Sequence, residues 1–527
     1  MIAEFKNMLH TRKVLLKQER KEYFSLIFYM IIASFLEMIS VSLIFAIVMS
    51  VLNPKFFFDN NFYIFDFLEI EKYTENNLII FFLVFFLIIY LFKSGMLIYF
   101  YYRINKYVAS IKQRLSNSFL KLYTKITWVD FVQKNSSEFI RNIIIETGIF
   151  SGAILQTLLI ISETIILMGL ISLLFYFEFK IMFLITCVIS VFSLIIYMFA
   201  KRNLKKLSYE RQQCDEKRLK NLNEFFNGFK ILRIMSKFPT FINIHELNNN
   251  FLARIEIIQT TIQQLPKILF ELVFMIIIVT FFFTLYILKI ELVSILPITS
   301  LFIASSFKII PSINKIINCN LNLKSSIPSV ELINKEFHKN HPHDEKLILT
   351  ETKELQFKNL IELKNVTFKY LNTKRTSIEN INLKILKGSQ IGIIGESGAG
   401  KTTLIDIITG LIEPESGDIL CDNKNIHKNL KSWQSKIGYI PQSVFLSDDD
   451  IKKNITLELD DKFINQDRLK QSIKDSNLDQ IILELPKNLK TRIGEHGSRL
   501  SGGQRQRIGI ARALYANPEI LILDEAT

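Results

Sequence analysis

A short glycine-rich stretch in the second half of the chain has the residues of a loop that binds phosphate. Gly395, Gly400 and Lys401-Thr402 satisfy the pattern G-x-x-x-x-G-K-[ST]. Backbone N–H groups of such a loop, and of the helix that follows it, point towards a bound anion. Lys401 is expected to neutralise phosphate oxygens and Thr402 to ligate Mg²⁺. The motif predicts a nucleoside triphosphate site formed by Gly395, Glu396, Ser397, Gly398, Ala399, Gly400, Lys401, Thr402 and Thr403.

Two further segments add a pair of carboxylates and a second loop. An apolar run over residues 520–523, expected to be a strand, ends in Asp524 and Glu525. Asp524 is placed to hold Mg²⁺ through a water molecule, and Glu525 to polarise the attacking water. The third segment is the stretch Leu500-Ser-Gly-Gly-Gln504. In this order the three segments resemble those of the ATP-binding cassette family, and their combination is very specific. The resemblance implies that the third segment opens a helix, whose N-terminus favours an anion.

The resemblance implies roles for residues that the motif spacing alone does not identify. Tyr370 corresponds to the aromatic residue that stacks on adenine, and the alternative is an ordinary strand tyrosine. Gln442 corresponds to the glutamine that senses Mg²⁺ and contacts the membrane domain. In the family, the second loop completes the ATP site of the other subunit; its residues here are Ser501, Gly502, Gly503 and Gln504. Because one chain has one loop of each kind, the resemblance implies a homodimer with head-to-tail nucleotide domains.

The composition divides the chain into an apolar part and a part with ordinary soluble alternation. Apolar residues make up 49% of the chain and 45 residues are Phe, concentrated in long runs before about residue 325. The net charge of +14 comes largely from Lys and Arg beside these runs, as in the cytoplasmic loops of membrane proteins, and does not indicate nucleic-acid binding. The four cysteines are scattered without a C-x-x-C pair, so neither a disulfide framework nor a zinc site is predicted.

The apolar runs predict six membrane-spanning helices. A helix needs about 20 apolar residues to cross a bilayer. Basic connections at 103–141 and 201–238 and an acidic one at 53–77 predict a cytoplasmic N-terminus and a cytoplasmic C-terminal half. The basic start precedes an apolar run too long for a signal-peptide core, so we interpret it as an uncleaved first span. The predicted spans are 24–52, 78–102, 152–176, 180–200, 268–288 and 293–310.

The predicted fold is a membrane all-α domain of exporter type followed by an α/β phosphate-loop nucleotide-binding domain. The predicted boundaries are 1–330 for the membrane domain, 331–354 for a polar linker and 355–527 for the nucleotide-binding domain. Apolar residues at helical spacing in the long cytoplasmic connections indicate that membrane helices continue beyond the bilayer. Short turns at about Lys125–Phe131 and Asn223–Ile234 are expected to touch the nucleotide-binding domain.

The resemblance extends over essentially the whole chain to exporter half-transporters. It is greatest to bacterial flippases for the lipid-linked oligosaccharides used in protein glycosylation, in three stretches: Phe131–Glu138, Pro266–Glu271 and Pro311–Ile316. It implies a multi-pass protein of the bacterial inner membrane whose partners are a lipid-linked glycan and membrane lipid. The alternative is an exporter of another lipid, a peptide or a drug. An acidic, aromatic stretch, Phe62–Ile70, fits a short external helix that engages the lipid tail, or else a plain surface loop.

Three lysines in or beside the apolar runs give this cargo hypothesis a physical basis. Lys93, Lys267 and Lys308 align with arginines of the resembling flippase. Charge within a membrane span is costly and usually faces a cavity or a partner, and a cationic cavity would suit a pyrophosphate-linked glycan. Lysine lacks the bidentate fork of arginine, so the chemical match is inexact. The alternative is that the lysines snorkel or pair with glutamates, such as Lys267 with Glu271 four residues later.

The last residues of the sequence are relevant to catalysis. The family continues after Asp-Glu-Ala-Thr with further elements that include a histidine at the γ-phosphate, and this sequence stops at Thr527. From the sequence we expect residues 1–527 by themselves to show little Mg²⁺-dependent ATPase activity.

The first prediction concerns the catalytic roles of Lys401, Gln442 and Glu525. In a chain extended by the family's C-terminal elements, Lys401→Ala should nearly abolish ATP turnover, because the β/γ-phosphate charge loses its counter-ion. Glu525→Gln should retain ATP binding and accumulate the closed dimer. Steady-state ATPase rates and nucleotide trapping measure both effects. Parent-like turnover by Glu525→Gln would contradict the assignment of the water-polarising residue.

Overall fold

The computed structural model of the chain describes residues 15–52, 75–177, 204–287, 292–339, 355–370 and 376–524, with positions 179, 183, 187, 190–195 and 198. The predicted external helix Phe62–Ile70, most of the predicted span 180–200 and Glu525 lie outside these residues. By internal contacts the chain divides into two units. The helical unit comprises Met1–Lys125 and Lys134–His343, and the C-terminal unit comprises Ile126–Gln133 and Asp344–Thr527.

Helices account for nearly all of the described residues before position 340. A π-helical turn, Asn142–Glu146, connects the helix Ser136–Arg141 directly to the helix Thr147–Phe177. The helices α1 to α10 are Lys17–Leu52, Glu75–Tyr123, Trp128–Gln133, Ser136–Arg141, Thr147–Phe177, Leu204–Asn227, Phe229–Ile234, Phe238–Ile287, Leu292–Ser325 and Ile327–Lys339.

Four helical segments among the described residues are long and apolar enough to cross a membrane. They are Lys17–Leu52, Ile79–Tyr123, Ser136–Tyr176 and Phe238–Thr280. These segments overlap four of the six predicted spans. Of the other two, 293–310 lies within α9 and 180–200 lies largely outside the described residues. The count of six therefore remains a prediction.

Two helices are much longer than a bilayer requires. Helix α2 has 49 residues and α8 has 50. At 1.5 Å per residue each is about 75 Å long, against a hydrocarbon thickness of about 30 Å. Both helices therefore extend well beyond any membrane they cross, as the apolar spacing in the cytoplasmic connections predicted.

The main core of the helical unit follows the apolar face of α2. Ile104, Ile111, Leu115 and Phe119 are each 0% exposed and recur at spacings of seven and four residues, which places them on one helix face. Leu26 and Met30 of α1 and Phe150 and Ile154 of α5 belong to the same cluster, as do Val330 and Ile333 of α10. Helix α10 thus packs with the helical unit and continues to Lys339, beyond the predicted domain boundary at 330.

The C-terminal unit is an α/β domain with two sheets. Its strands β1 to β6 are Leu360–Phe368, Ile378–Leu386, Ser416–Cys421, Lys424–Asn425, Ile437–Ile440 and Ile520–Leu523. Strands β1 to β4 form an antiparallel sheet in the order β2-β1-β3-β4, and β5 pairs with β6 in parallel. The helices α11 to α16 are Lys401–Ile408, Leu430–Gln434, Ile451–Thr456, Gln466–Asp475, Asp479–Glu484 and Gly502–Tyr515.

Two separate hydrophobic clusters hold this unit together. The first cluster joins the antiparallel sheet to α11 and α12, with Ile407, Ile419 and Trp433 each fully buried. The second cluster joins α13, α14 and α16, and includes Ile455, Leu469 and Ile508. The segment after the phosphate loop and the segment after Leu500 are therefore anchored in different cores.

The apolar run Ile391–Gly395, immediately before the phosphate loop, predicts a short buried strand, and this strand is not formed. Residues 389–396 have no regular secondary structure, and the side chains of Ile391 and Ile394 are 45% and 97% exposed. Ile391 and Ile393 instead line a cavity of about 460 Å³ that Leu521 and Leu523 of β6 also line. An apolar run predicts a strand only if a partner strand pairs with it, and that pairing is not encoded locally. The sequence pattern was therefore insufficient here.

The second prediction concerns Trp433, whose indole N–H donates a hydrogen bond to the Ile408 carbonyl at 2.9 Å. Trp433→Phe leaves this buried carbonyl without its donor, which should cost about 1–3 kcal/mol of unfolding free energy. Trp128, which is 40% exposed, provides the matched control, and Trp128→Phe should change stability by less than about 0.5 kcal/mol. Urea unfolding of the C-terminal unit in the detergent-solubilised chain measures both. Equal effects of the two substitutions would contradict the prediction.

Candidate functional site

The phosphate loop has a backbone that only glycine adopts easily. Gly398 and Gly400 have φ values of +81° and +93°. A Cβ atom at Gly400 would lie 2.6 Å from the Ser377 carbonyl oxygen, which is closer than a real Cβ atom approaches backbone. Glycine is therefore required at position 400 for two reasons. The backbone has a positive φ, and the Ser377 carbonyl immediately before β2 leaves no space for a side chain. The loop leads directly into α11, which begins at Lys401.

The Lys401 ammonium group lies against the loop that it follows. Its Nζ donates to the Gly395 carbonyl at 2.8 Å and to the Glu396 carbonyl at 3.1 Å. The loop backbone, this ammonium and the first turn of α11 together form a cradle with positive character. Thr402 is exposed in that first turn. The cradle therefore has the chemistry to hold the phosphates of ATP, and the Thr402 hydroxyl and Asp524 carboxylate are hard oxygen donors that suit Mg²⁺.

Tyr370 lies next to this loop. Its hydroxyl is 3.5 Å from the Thr403 hydroxyl, and its ring packs edge-to-face on Phe368 at a centroid distance of 4.9 Å. Its side chain is half-buried at the end of β1. The structure thus brings Tyr370 to the nucleotide site, as an adenine-stacking residue requires. The role itself remains a prediction.

Asp524 follows the end of β6, as the apolar run predicted. Its N–H donates to the Ile440 carbonyl at 3.0 Å, which continues the parallel pairing of β5 and β6. The Tyr439 hydroxyl donates to Asp524 Oδ2 at 3.1 Å. Burial, with the negative charge of Asp524 as the second cause, raises the pKa of Tyr439 to about 12. Tyr439 therefore remains a hydrogen-bond donor to this carboxylate at neutral pH.

Asp406 is a second carboxyl group in the electrostatic field of Asp524, and the sequence analysis did not identify it. Burial and, as a second cause, the negative charge of Asp524 raise the pKa of Asp406 to about 6. The residue lies in α11, four positions after Thr402, and therefore on the same side of that helix. Its spacing from Thr402 was the only available sequence signal.

Gln442 and Glu525 complete the predicted catalytic set. Gln442 is exposed and follows the end of β5, on the same sheet that carries Asp524. Glu525 lies outside the described residues, so its role stays a prediction.

The second loop is preformed and presents its glycines to solvent. Ser501 caps α16 by accepting the Gln504 N–H at 3.3 Å, and the Gln504 side chain accepts the Ser501 N–H at 2.9 Å. This reciprocal arrangement is a capping box. Gly502 and Gly503 are exposed, and a Cβ atom on either would meet nothing within 4 Å. The first turn of α16 is therefore open to an external anion.

In the helical unit, two of the three predicted cavity lysines meet at one buried glutamate. Glu37 of α1 lies 3.2 Å from the Lys93 ammonium and 3.5 Å from that of Lys308. Lys93 also donates to the Ser40 hydroxyl at 3.2 Å. Lys267 is exposed on α8, and no ion pair involving it forms within the described part of the chain, including the expected pair with Glu271.

A second ion cluster, which includes Lys315, was not recognised from the sequence. Lys315 Nζ lies 2.7 Å from Glu163 Oε1 and 3.1 Å from the Tyr101 hydroxyl, and Ser312 donates to Glu163 Oε2 at 2.7 Å. Lys315 follows Lys308 by seven residues on α9, so both point to the same helix face. The seven-residue spacing of Lys308 and Lys315 was visible in the sequence. The partners of Lys315 on other helices could not be derived from it.

Comparison with known proteins agrees with these motifs and with the fold. The ABC transporter family matches residues 378–527. A solved structure of a bacterial Atm1-family ABC exporter with ATP bound superposes with a TM-score of 0.70 at 19% identity, covering 93% of this chain and 84% of that one. The chain has the fold of an ABC exporter. Residues 378–527 form its ABC transporter ATPase domain.

Sequence relatives of this exporter-fold chain match its C-terminal third. The putative multidrug export ATP-binding/permease protein YgaD of Bacillus subtilis is 35% identical over 173 residues, 33% of this chain and 30% of that protein. The ATP-dependent lipid A-core flippase of Wigglesworthia glossinidia brevipalpis is 39% identical over 168 residues, 32% and 29% of the two chains. The leukotoxin translocation ATP-binding protein LktB of Mannheimia haemolytica is 40% identical over 173 residues, 33% and 24%. The matched region therefore spans about 30% or less of each of these curated relatives.

The third prediction concerns the stability of the exporter's nucleotide-binding domain with pH. The pKa of Asp406 is about 6 in the folded protein and near 3.8 in the unfolded chain. Ionisation of Asp406 therefore opposes folding. This destabilisation is complete above pH 6 and disappears as the pH falls towards 3.8. Asp406→Asn should therefore raise the melting temperature at pH 7.5 and raise it less at pH 5. Calorimetry of nucleotide-free protein in EDTA measures the difference.

The exposed residue Asp448 provides the control, and Asp448→Asn should leave the melting temperature nearly unchanged at both values. A pH-independent gain from Asp406→Asn would mean that its charge is not the cause.

Proposed function

We propose that this chain is one subunit of an ATP-driven homodimeric flippase that moves a lipid-linked oligosaccharide across the bacterial inner membrane. The observation that carries the ATP-driven part is the arrangement of the two anion-binding loops. The phosphate loop is anchored in one core of the nucleotide-binding domain and the Ser501 loop in the other. Each loop is open to solvent. An ATP site assembled between two chains, head to tail, would use one loop from each.

The residues of the phosphate loop have distinct parts in this proposal. Lys401 binds the β/γ-phosphate oxygens, Thr402 and Asp524 hold Mg²⁺, and Tyr370 stacks on the adenine. When bound, Mg²⁺ supplies charge neutralisation at the phosphates. Glu525 orients and polarises the attacking water, and Gln442 links the metal site to the membrane domain.

The opposing subunit contributes the N-terminal turn of α16. Its exposed glycines, Gly502 and Gly503, leave the backbone N–H groups accessible to a phosphate. Ser501 and Gln504 hold that turn in place through their reciprocal hydrogen bonds. A second copy of the chain is the partner that carries a complementary phosphate loop, so the dimer has two equivalent sites.

ATP binding would reach the membrane helices through short intervening segments. Residues Ile126–Gln133, between α2 and α4 in sequence, belong to the C-terminal unit, and Val129 packs against its first core. Closure of the two nucleotide-binding domains would pull on this segment and so on the long helix α2. Hydrolysis would release the closed state and reset the helices. In the proposed orientation of the chain in the membrane, the nucleotide-binding domains and the N-terminus lie on the cytoplasmic side.

The cargo proposal rests on cationic side chains in the helical unit. Lys93 and Lys308 meet one carboxylate, so that cluster carries a net positive charge among the described residues. A pyrophosphate-linked glycan is an anion on a lipid and matches this charge. Lys267 is included by resemblance alone. A relative that is 39% identical over 168 residues is named an ATP-dependent lipid A-core flippase, which is a flippase for a lipid.

A second candidate cargo is a more apolar molecule. A cavity of about 420 Å³ lies in the helical unit between α5, α8 and α9. Its lining is almost entirely apolar and includes Leu167 and Leu174 of α5, Phe274 of α8 and Phe302 of α9. Such a site would suit an acyl or drug-like molecule. The relative from Bacillus subtilis is named a putative multidrug export protein, which fits a drug-like cargo.

The fourth prediction separates the two cargoes. If the lysines meet a pyrophosphate, each contact resembles a charge-assisted hydrogen bond worth about 1.5–3 kcal/mol. In the chain extended by the family's C-terminal elements, Lys93→Ala, Lys267→Ala or Lys308→Ala should then lower glycolipid flipping per ATP hydrolysed by roughly tenfold or more, and Arg should be tolerated at each position. Fluorescent glycolipid flipping in reconstituted vesicles measures the effect.

The neutral double substitution Lys315→Gln with Glu163→Gln, in the other ion cluster, is the control and should flip normally. Full flipping by the triple alanine variant would remove the physical support that the lysines give to an anionic lipid-linked glycan and leave sequence resemblance as the only argument for it.

A further inference from the structure

The cluster around Glu37 contains more positive than negative charge. Its carboxylate is shared by two ammonium groups, Lys93 at 3.2 Å and Lys308 at 3.5 Å. Ser40 and the ring of Tyr90, whose centroid is 4.3 Å from Lys93 Nζ, provide neutral contacts. Among the described residues the balance is therefore two cations to one anion. A surplus charge inside a helix bundle is costly, so this place favours the arrival of a further anion.

The neighbouring cluster on the same helix shows what a balanced pair looks like. Glu163 receives one lysine, Lys315, at 2.7 Å, and its second oxygen accepts the Ser312 hydroxyl at 2.7 Å. Both carboxylate oxygens are occupied and the charges cancel. This cluster has the short contacts and complete hydrogen bonding of a structural ion pair, whereas the Glu37 cluster has longer contacts and an excess cation.

The two lysines of the Glu37 cluster differ in access. The side chains of Lys93 and Glu37 are 8% and 7% exposed, whereas that of Lys308 is 34% exposed. Lys308 also makes the longer contact to the carboxylate. An incoming anion would therefore reach Lys308 first, and Lys93 only after Glu37 releases it.

A donor without a partner lies on the same face of α9. Ser305 precedes Lys308 by three residues, is 0% exposed, and its hydroxyl has no hydrogen-bond partner within the described part of the chain. Buried hydroxyls are normally paired. Ser305 and Lys308 lie on one helix face, and both can donate to an oxyanion.

We propose that Glu37 is the resident counter-ion of Lys93 and Lys308 and that a pyrophosphate head group binds by replacing it. Glu37 then sets affinity, because the incoming anion competes with a tethered carboxylate for the same two ammonium groups. It also sets selectivity, because a weakly charged or neutral head group cannot displace it. This inference rests on the proposed anionic glycolipid cargo and assigns Glu37 as a specificity-determining residue.

The experiment varies the charge of the cluster in the detergent-solubilised chain carrying Lys401→Ala, which weakens phosphate binding at the nucleotide site, and measures binding of farnesyl pyrophosphate calorimetrically. Glu37→Gln raises the cluster charge by one and should tighten binding about tenfold. Lys308→Gln lowers it by one and should weaken binding about tenfold. The double substitution restores the parent charge and should return affinity to within about threefold of the parent. Glu163→Gln with Lys315→Gln, which leaves the net charge unchanged, should bind like the parent.

Two further probes identify the part of the ligand that is recognised. Farnesol, which lacks the anion, should bind all variants equally. Inorganic pyrophosphate should follow the same order as farnesyl pyrophosphate with weaker affinity. Equal affinity for both pyrophosphates would support the exchange at Glu37 and identify a soluble anion, rather than a lipid, as its ligand.

A folded Glu37→Gln variant that binds no tighter than the parent would overturn the proposal and leave Glu37 a purely structural ion pair. If Glu37→Gln does not fold, Lys308→Gln decides, and parent-like affinity in that variant overturns it. A parent chain that binds no farnesyl pyrophosphate also overturns it. Glycolipid flipping in vesicles tests the proposed function separately, since flipping can persist without exchange at Glu37, and exchange can occur without flipping.

Discussion

Buried charge in the helical unit is costly unless it is paired, and the ion pairs that reduce this cost join four of its helices. Helix α9 carries Lys308 and Lys315 on one face, and each finds its carboxylate on a different helix, α1 or α5. Helix α2 adds Lys93 to one cluster and Tyr101 to the other. A rotation of α9 that separated these pairs would leave charges without partners in apolar surroundings, which is among the most costly changes a helix bundle can undergo. Apolar packing alone would permit several registers, and the ion clusters select one.

The nucleotide-binding domain is governed by a different constraint, the geometry of backbone at a phosphate. The loop before α11 depends on two glycines with positive φ, and Gly400 has no room for a side chain. Asp524 is positioned by the parallel pairing of β5 and β6, so the loop and the carboxylate are held by separate elements. The Ser501 loop belongs to a further core. Three short motifs that are far apart in sequence thus have independent supports.

What the sequence could predict follows from whether a feature is local. The phosphate loop, the helix that follows Leu500 and the long helices depend on neighbouring residues, and the structure has them. The strand before Asp524 forms because β5 pairs with it. The strand expected at 391–395 depends on a partner strand, and the pairing is not made. Glu37, Lys93 and Lys308 come from three helices, so their meeting could not be derived from periodicity. Asp406 was missed because its pKa reflects burial and Asp524, which are both tertiary properties. The number of spans, the cargo and the role of Glu525 stay predictions.

In the proposed homodimer, the capping box of α16 would have a consequence for the rate at which the two subunits close. Because Ser501 and Gln504 already satisfy each other's backbone N–H groups, the turn that would meet a partner's nucleotide is ordered before any partner arrives. Ordering a loop on contact costs a free energy of roughly 1–2 kcal/mol per residue, because conformational entropy is lost. A turn that is ordered beforehand avoids this cost. Docking of two such surfaces is then a collision of rigid bodies, whose rate is set by diffusion and orientation rather than by local folding.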